Sequence, residues 1–106
     1  MEIESGDLIL IKFHHHRENR LGVYDDIDSF GIWIFNLAGL RKSLTFHILP
    51  NAVRKIEKVE FKNLNEYNFT DKEEIIDWFN INPVESLLTH RATSIRIFAQ
   101  KSLGYE

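Results

Sequence analysis

The sequence predicts a mainly β chain, a small five-stranded barrel of the SH3-like kind with a C-terminal helical extension. Three observations point there. Before residue 61 there are five short runs rich in β-branched and aromatic residues, separated by Gly, Pro, Asn, Asp and Ser. Inside the second run stands Gly22, the residue type that lets a barrel strand bend or another backbone come close. After residue 70 the pattern changes to helix-start signals and apolar residues at helical spacing. The expected division is 1–61 for the barrel and 62–106 for the helical extension, packed on the barrel or on a neighbouring subunit.

Each element follows from its residues. Ser5-Gly6-Asp7 signals a turn, and Leu8 to Phe13 is a strand apolar on both faces at first, which therefore needs cover on each side. His14 to Asn19 is a polar loop leading to a strand over Arg20 to Asp25. The acidic cluster Asp25, Asp26 and Asp28 with Ser29 makes a tight turn, because short polar side chains fold back onto their own backbone. Gly31 to Phe35 is again apolar on both faces, and Trp33 with Phe35 is too much aromatic surface to leave wet. Asn36 to Lys42 is a loop, and Leu44 to Ile48 alternates with Leu44, Phe46 and Ile48 inward. Pro50-Asn51 interrupts, and Ala52 to Phe61 holds the last strand. Lys62 to Phe69 reads as an asparagine-rich connector. Thr70 and Glu73 have capping-box spacing and open a helix through about Phe79. Asn82-Pro83 starts a second helix, with Val84, Leu87, Leu88, Ala92, Ile95, Phe98 and Ala99 on one side and Gly104 as its stop. The β-branched run Thr93 to Ile97 leaves a terminal strand as the alternative.

Composition bounds the function. The chain has 106 residues, 43% hydrophobic and 12% aromatic, enough for one domain with a real core. It has no cysteine, which excludes disulfides, thiolate metal sites and a cysteine nucleophile. No charged-then-apolar leader opens it, and its longest apolar stretch, Phe30 to Leu40 interrupted by Asn36, is too short to span a bilayer. A cytoplasmic protein with no membrane partner is expected. The net charge is -3, with 8 basic against 9 acidic residues up to Phe61 and 5 against 7 after it, so charge alone advertises no polyanion partner.

No motif carries catalytic chemistry. Asp26, Asp28 and Gly31 match the first, third and sixth positions of a calcium loop, but Phe30 and Leu37 occupy positions that need oxygen ligands. Ser29 and Asp28 with a distant His47 or His90 form no triad signature. The expectation is a protein that is not an enzyme and takes no cofactor. His14 and His16 fall on one face of an extended segment and can share a metal ion, against the plainer reading of a solvated hairpin loop.

The stretch Leu21 to Phe35, with Gly22, Asp28, Ser29, Phe30 and Ile32-Trp33-Ile34, resembles the first signature of the Sm-like proteins, in the form used by the bacterial Hfq-type RNA chaperones. Asn51 to Ile56 resembles the second signature loosely, with Pro50-Asn51 where Hfq has Lys-His. The short lead before the first strand and the helical C-terminus are similar to the Sm-like proteins of cyanophage type, which would act in a host cytoplasm. The resemblance implies a five-stranded Sm-like barrel whose copies pair edge to edge into a homo-oligomeric ring that faces single-stranded RNA. It assigns Asp28 to organising a loop, Ser29 and Phe30 to the base pocket and Asn51 to completing it. From the residues themselves, Arg54 and Lys55 read as a solvated strand face or, alternatively, as a phosphate site to which Arg17, Arg20, Arg41 and Lys42 in loops would add a basic rim. The expected function is non-catalytic binding of single-stranded RNA. Its alternative is a scaffolding ring that binds protein partners without RNA.

Overall fold

The computed structural model describes residues 3–15, 17–27, 32–36, 45–48 and 50–104. Five antiparallel strands form one sheet: β1 (Leu8–Phe13), β2 (Asn19–Ile27), β3 (Ile32–Asn36), β4 (Thr45–Ile48) and β5 (Val53–Lys58). Their spatial order is β4-β3-β2-β1-β5. Two α-helices follow, α1 (Lys72–Ile81) and α2 (Thr93–Ser102), with 3-10 segments over Pro50–Ala52, Phe61–Glu66 and Val84–Thr89.

This corrects the expectation of a mainly β, closed five-stranded barrel. The sheet is open, β4 and β5 are its two edges, and no pairing joins them among the described residues. Its described side chains come from three antiparallel strands, β5, β1 and β2, and helical segments hold more of the described residues than strands do. The physical reason lies in how β1 is covered. Alternation sends Leu8 and Leu10 to one face and Ile9 and Ile11 to the other. On the first face Leu8 stands opposite Val23 and Leu10 opposite Leu21. These four pack with Ile75 and Phe79 of α1 and with Ile95, Phe98 and Ala99 of α2. On the second face Ile9, Ile11 and Tyr24 gather Ile3, Phe13, Val53 and Ile56. Ile9 and Ile11 are at most 1% exposed in the single chain, so both faces of β1 are buried without barrel closure.

The register has two irregularities. Tyr24 pairs with Ile34 and Asp26 with Trp33, leaving Asp25 as the extra residue of a bulge in β2. Lys12 pairs with Lys55 and Phe13 with Val53, so Arg54 is the extra residue of a bulge in the edge strand β5. Gly22 is an ordinary buried strand residue opposite Ile9.

The helical region departs from the sequence reading in several places. Phe61–Glu66 is coiled into 3-10 turns where a plain connector was expected. The capping box at Thr70 and Glu73 does not form: the residue before α1 is Asp71, in the left-handed region at φ 63°, with no side-chain cap. The Thr70 N–H instead donates to the Asn19 carbonyl at 2.8 Å, tying the connector to the sheet. Asn82 ends α1, its backbone N–H and its Nδ2 both donating to the Trp78 carbonyl, at 2.8 and 3.0 Å.

The long helix expected after Pro83 is broken at His90, whose backbone is extended. The break is held by side chains: His90 Nδ1 accepts from the Ala92 N–H at 3.0 Å, and Arg96 donates to the carbonyls of His90 and Arg91 at 2.7 and 3.1 Å. Burial, with Arg91 and Arg96 close by, keeps the imidazole below its ordinary pKa, which favours the neutral ring that can accept. Thr93 to Ile97 is helix and not a terminal strand, because burial of Ile95, Phe98 and Ala99 on one side outweighs the β-branched preference. Gly104 ends the chain's last turn at φ 80°, as its sequence position predicts. No helix among the described residues is long and apolar enough to cross a membrane.

Candidate nucleic-acid interface

The end of the sheet where β1 gives way to β2 collects most of the described candidate residues. The chain leaves β1 at Phe13 and re-enters the sheet as β2 at Asn19, and the residues between are polar. His14 and His15 are exposed, with ring centroids 6.3 Å apart and planes tilted by 51°. The His14 N–H donates to the Ala52 carbonyl at 3.1 Å, which fastens this hairpin to the 3-10 turn before β5. That contact brings the backbone at His14 beside the 3-10 turn that holds Asn51.

Asn51 and Arg54 are both exposed. The bulge makes Arg54 the odd residue in an edge strand, released from cross-strand pairing, and bulges commonly re-aim a side chain in this way. Its neighbour Lys55 is engaged: its ammonium lies 2.8 Å from the Glu57 carboxylate, with Lys12 at 3.6 Å from the same group. Hydrogen bonding from Lys55, aided by Lys12, holds the Glu57 carboxyl below its ordinary pKa against a smaller desolvation effect. Arg54 has no carboxylate partner among the described residues, and neither has exposed Arg17 in the hairpin. Arg20 is bound on both sides, 3.3 Å from Glu18 and 3.6 Å from Asp71. Among the described residues, the uncompensated positive charge at this end thus sits on Arg17 and Arg54.

Asp28, Ser29, Phe30, Arg41, Lys42 and His16 lie outside the described residues, and so does the proposed sharing of a metal by His14 and His16. Among the described residues no group of three or more ligating side chains is placed to hold a metal ion. Beside Arg17, a cleft of about 350 Å³ opens between the hairpin and residues 68–70. Sequence reasoning missed Asn68 and Thr70 because the bond that brings them here, Asn19 Nδ2 to the Asn68 carbonyl at 3.3 Å, spans 49 residues.

A hollow of about 390 Å³ lies at the other end of β1, with Phe61 and Phe98 in its wall. Its charges satisfy one another. Lys101 is 2.9 Å from Asp7, Lys58 is 3.2 Å from Asp7, and Lys62 is 3.3 Å from Glu60. It presents no uncompensated group comparable to Arg17 or Arg54. The chain matches no family model, no curated protein and no solved structure.

Proposed function

We propose that this protein is a non-catalytic binder of single-stranded RNA that contacts the strand along the hairpin end of its sheet. The observation that carries this reading is the gathering of exposed His14, His15 and Arg17 with Asn51 and Arg54, the two arginines lacking carboxylate partners among the described residues. Unpaired bases stack on imidazole rings and guanidinium planes, and an amide reads a base edge. Arg17 and Arg54 neutralise phosphates, so binding weakens as salt rises, by a log–log slope of about -0.7 per phosphate contact on a single strand. The net charge of -3 and the engagement of Lys55 by Glu57 hold the affinity down. The resemblance of Gly22 to Phe35 to Sm-like proteins points in the same direction.

The test is fluorescence anisotropy of labelled U-rich and A-rich oligonucleotides at low salt. Retention that falls with added salt, and falls again in Arg54→Ala, is expected. If the intact protein retains neither strand at low salt, the proposal is overturned.

The open sheet edge favours a second reading, a homo-oligomeric scaffold that binds protein partners. An edge strand offers unpaired backbone groups to another chain, and β5 has β1 as its one neighbour in the sheet. Against it, Arg54, Lys55 and Lys58 place charge along this edge, a pattern that discourages edge-to-edge pairing. Molar mass by light scattering separates the two readings. Several subunits without an RNA response favour the scaffold, and a mass increase on adding RNA favours RNA binding.

A further inference from the structure

Helix α2 begins without a cap of its own. Its N-cap residue, Ala92, has no side chain that could accept a hydrogen bond, and no acidic residue stands in its first turn. The entry is held by two other side chains. His90 Nδ1 accepts from the Ala92 N–H at 3.0 Å. Arg96 reaches back one turn, donating through Nη1 to the carbonyls of His90 and Arg91 at 2.7 and 3.1 Å and through Nη2 to Thr93 Oγ1 at 2.9 Å. The chain changes direction at His90, at φ -62° and ψ 144°, between Val84–Thr89 and α2. Both segments bury apolar residues in the shared core, Val84 and Leu87 before the break and Ile95, Phe98 and Ala99 after it.

This turn works only with an uncharged imidazole. A ring nitrogen accepts while it is unprotonated, and a proton on Nδ1 turns it into a donor facing the Ala92 N–H. The start of a helix is also the positive end of its dipole, which disfavours a cation there. The charged groups that act on the ring among the described residues are Arg91 and Arg96, both cationic. Glu85, the acidic residue of Val84–Thr89, is exposed and does not act on it. The neighbouring α1, β1 and β2 contribute apolar residues to the core that both segments share. Burial, joined by the two arginines, accordingly keeps the ring below its ordinary pKa of 6.5.

We propose that the break at His90 is an acid-sensitive hinge, in which a proton on Nδ1 removes the acceptor of the Ala92 N–H, sets a third cation beside Arg91 and Arg96, and frees the first turn of α2. The proton comes from solvent onto the imidazole lone pair, and no bond of the chain breaks. A folded-state value below the unfolded one means that the clamp is complete above 6.5 and is lost as pH falls through the folded value. The hinge goes beyond the RNA-binding reading and does not depend on it.

The test uses the full chain. Two-dimensional NMR of the His90 ring and the Ala92 amide, from about pH 7.5 to about pH 5, should give one shared midpoint below 6.5. Over that range, exchange of the amides of residues 92–96, corrected for its intrinsic pH dependence, should speed up by about fivefold, the equivalent of one lost hydrogen bond. His90→Asn, whose amide oxygen can replace Nδ1 as acceptor and does not titrate, should keep the break and flatten that response. Arg91→Ala leaves the backbone carbonyls for Arg96 in place and should move the shared midpoint to higher pH. A His90 midpoint at or above 6.5, an Ala92 amide that does not follow the ring, or an acceleration that persists in His90→Asn each overturns the hinge. Should His90→Asn fail to fold, the ring and amide titrations of the unaltered chain and of Arg91→Ala still decide.

Discussion

Asp7 shows how much one residue can tie together. Its carboxylate accepts from the Glu4 N–H at 2.8 Å and from Lys101 at 2.9 Å, and it pairs with Lys58 at 3.2 Å, linking the N-terminal turn, the end of β5 and the end of α2. Burial works against its ionisation, but the bonds from Lys101, Glu4 and Lys58 outweigh burial and hold its pKa below the ordinary 3.8. A lowered carboxyl pKa contributes stability that is fully present above the unfolded value and is lost as pH falls through the folded one. Asp7→Asn should therefore cost about 1 kcal/mol at neutral pH, allowing for solvent screening of partly exposed lysines. Urea melts of both proteins should converge as the pH drops below 3.8. Next to it, Gly6 sits at φ 91°, and a Cβ there would lie 2.3 Å from Ile97 Cγ2, so no larger residue fits. Ser94 is the opposite case: it is 1% exposed and its hydroxyl has no hydrogen-bond partner among the described residues. Ser94→Ala should raise the stability by about 1 kcal/mol, by removing a buried unsatisfied group and improving helix propensity, measured by the urea midpoint at unchanged slope.

At the scale of elements, the sheet and the helices share one core. Phe98 of α2 is 2% exposed and meets Phe61 edge-on at 5.9 Å, while Phe61 meets Phe79 of α1 at 4.7 Å. These rings join α1, α2 and the 3-10 segment over the face formed by Leu8, Leu10, Leu21 and Val23. Phe98→Ala should cost about 3 to 5 kcal/mol, since the site cannot collapse around a lost aromatic ring. Because the core is common, the loss should appear equally in far-UV signals from helix and in near-UV signals, as a single transition. Separate transitions for sheet and helices would contradict the shared core. The break at His90 belongs to this scale too. It lets the chain run as two short segments, Val84–Thr89 and α2, both of which bury residues in the same cluster.

For the whole molecule, the consequence is that one chain buries both faces of its central strand. Ile9 at 0% and Ile11 at 1% exposure in the single chain leave β1 itself no apolar face to offer a second subunit. Folding should then be independent of association. The melting temperature should not change with protein concentration, whereas an obligate oligomer would melt higher as concentration rises.

Strand β1 was legible to the residue, Leu8–Phe13, because its alternating apolar residues are a local pattern. The other strands, the Pro50-Asn51 interruption, the helix ending near Phe79 and the stop at Gly104 were visible for the same reason, within a few residues. The exposure of His14, His15, Arg17 and Glu18 could likewise be read from the polarity of that stretch. What tertiary structure decided was everything that depends on distant partners. The Asn19 carbonyl takes the Thr70 N–H and thereby shapes the cleft, and Arg96 takes the carbonyls of His90 and Arg91 and thereby splits a helix. The helices also cover the first face of β1, and the sheet stays open. The amino-acid sequence by itself determined where most strands and the first helix would lie, since periodicity and turn chemistry act over a few residues, but not the 3-10 coiling of Phe61–Glu66 or the break at His90. Which face each segment covers, and which charges are left without partners, was settled by packing between residues far apart in the chain.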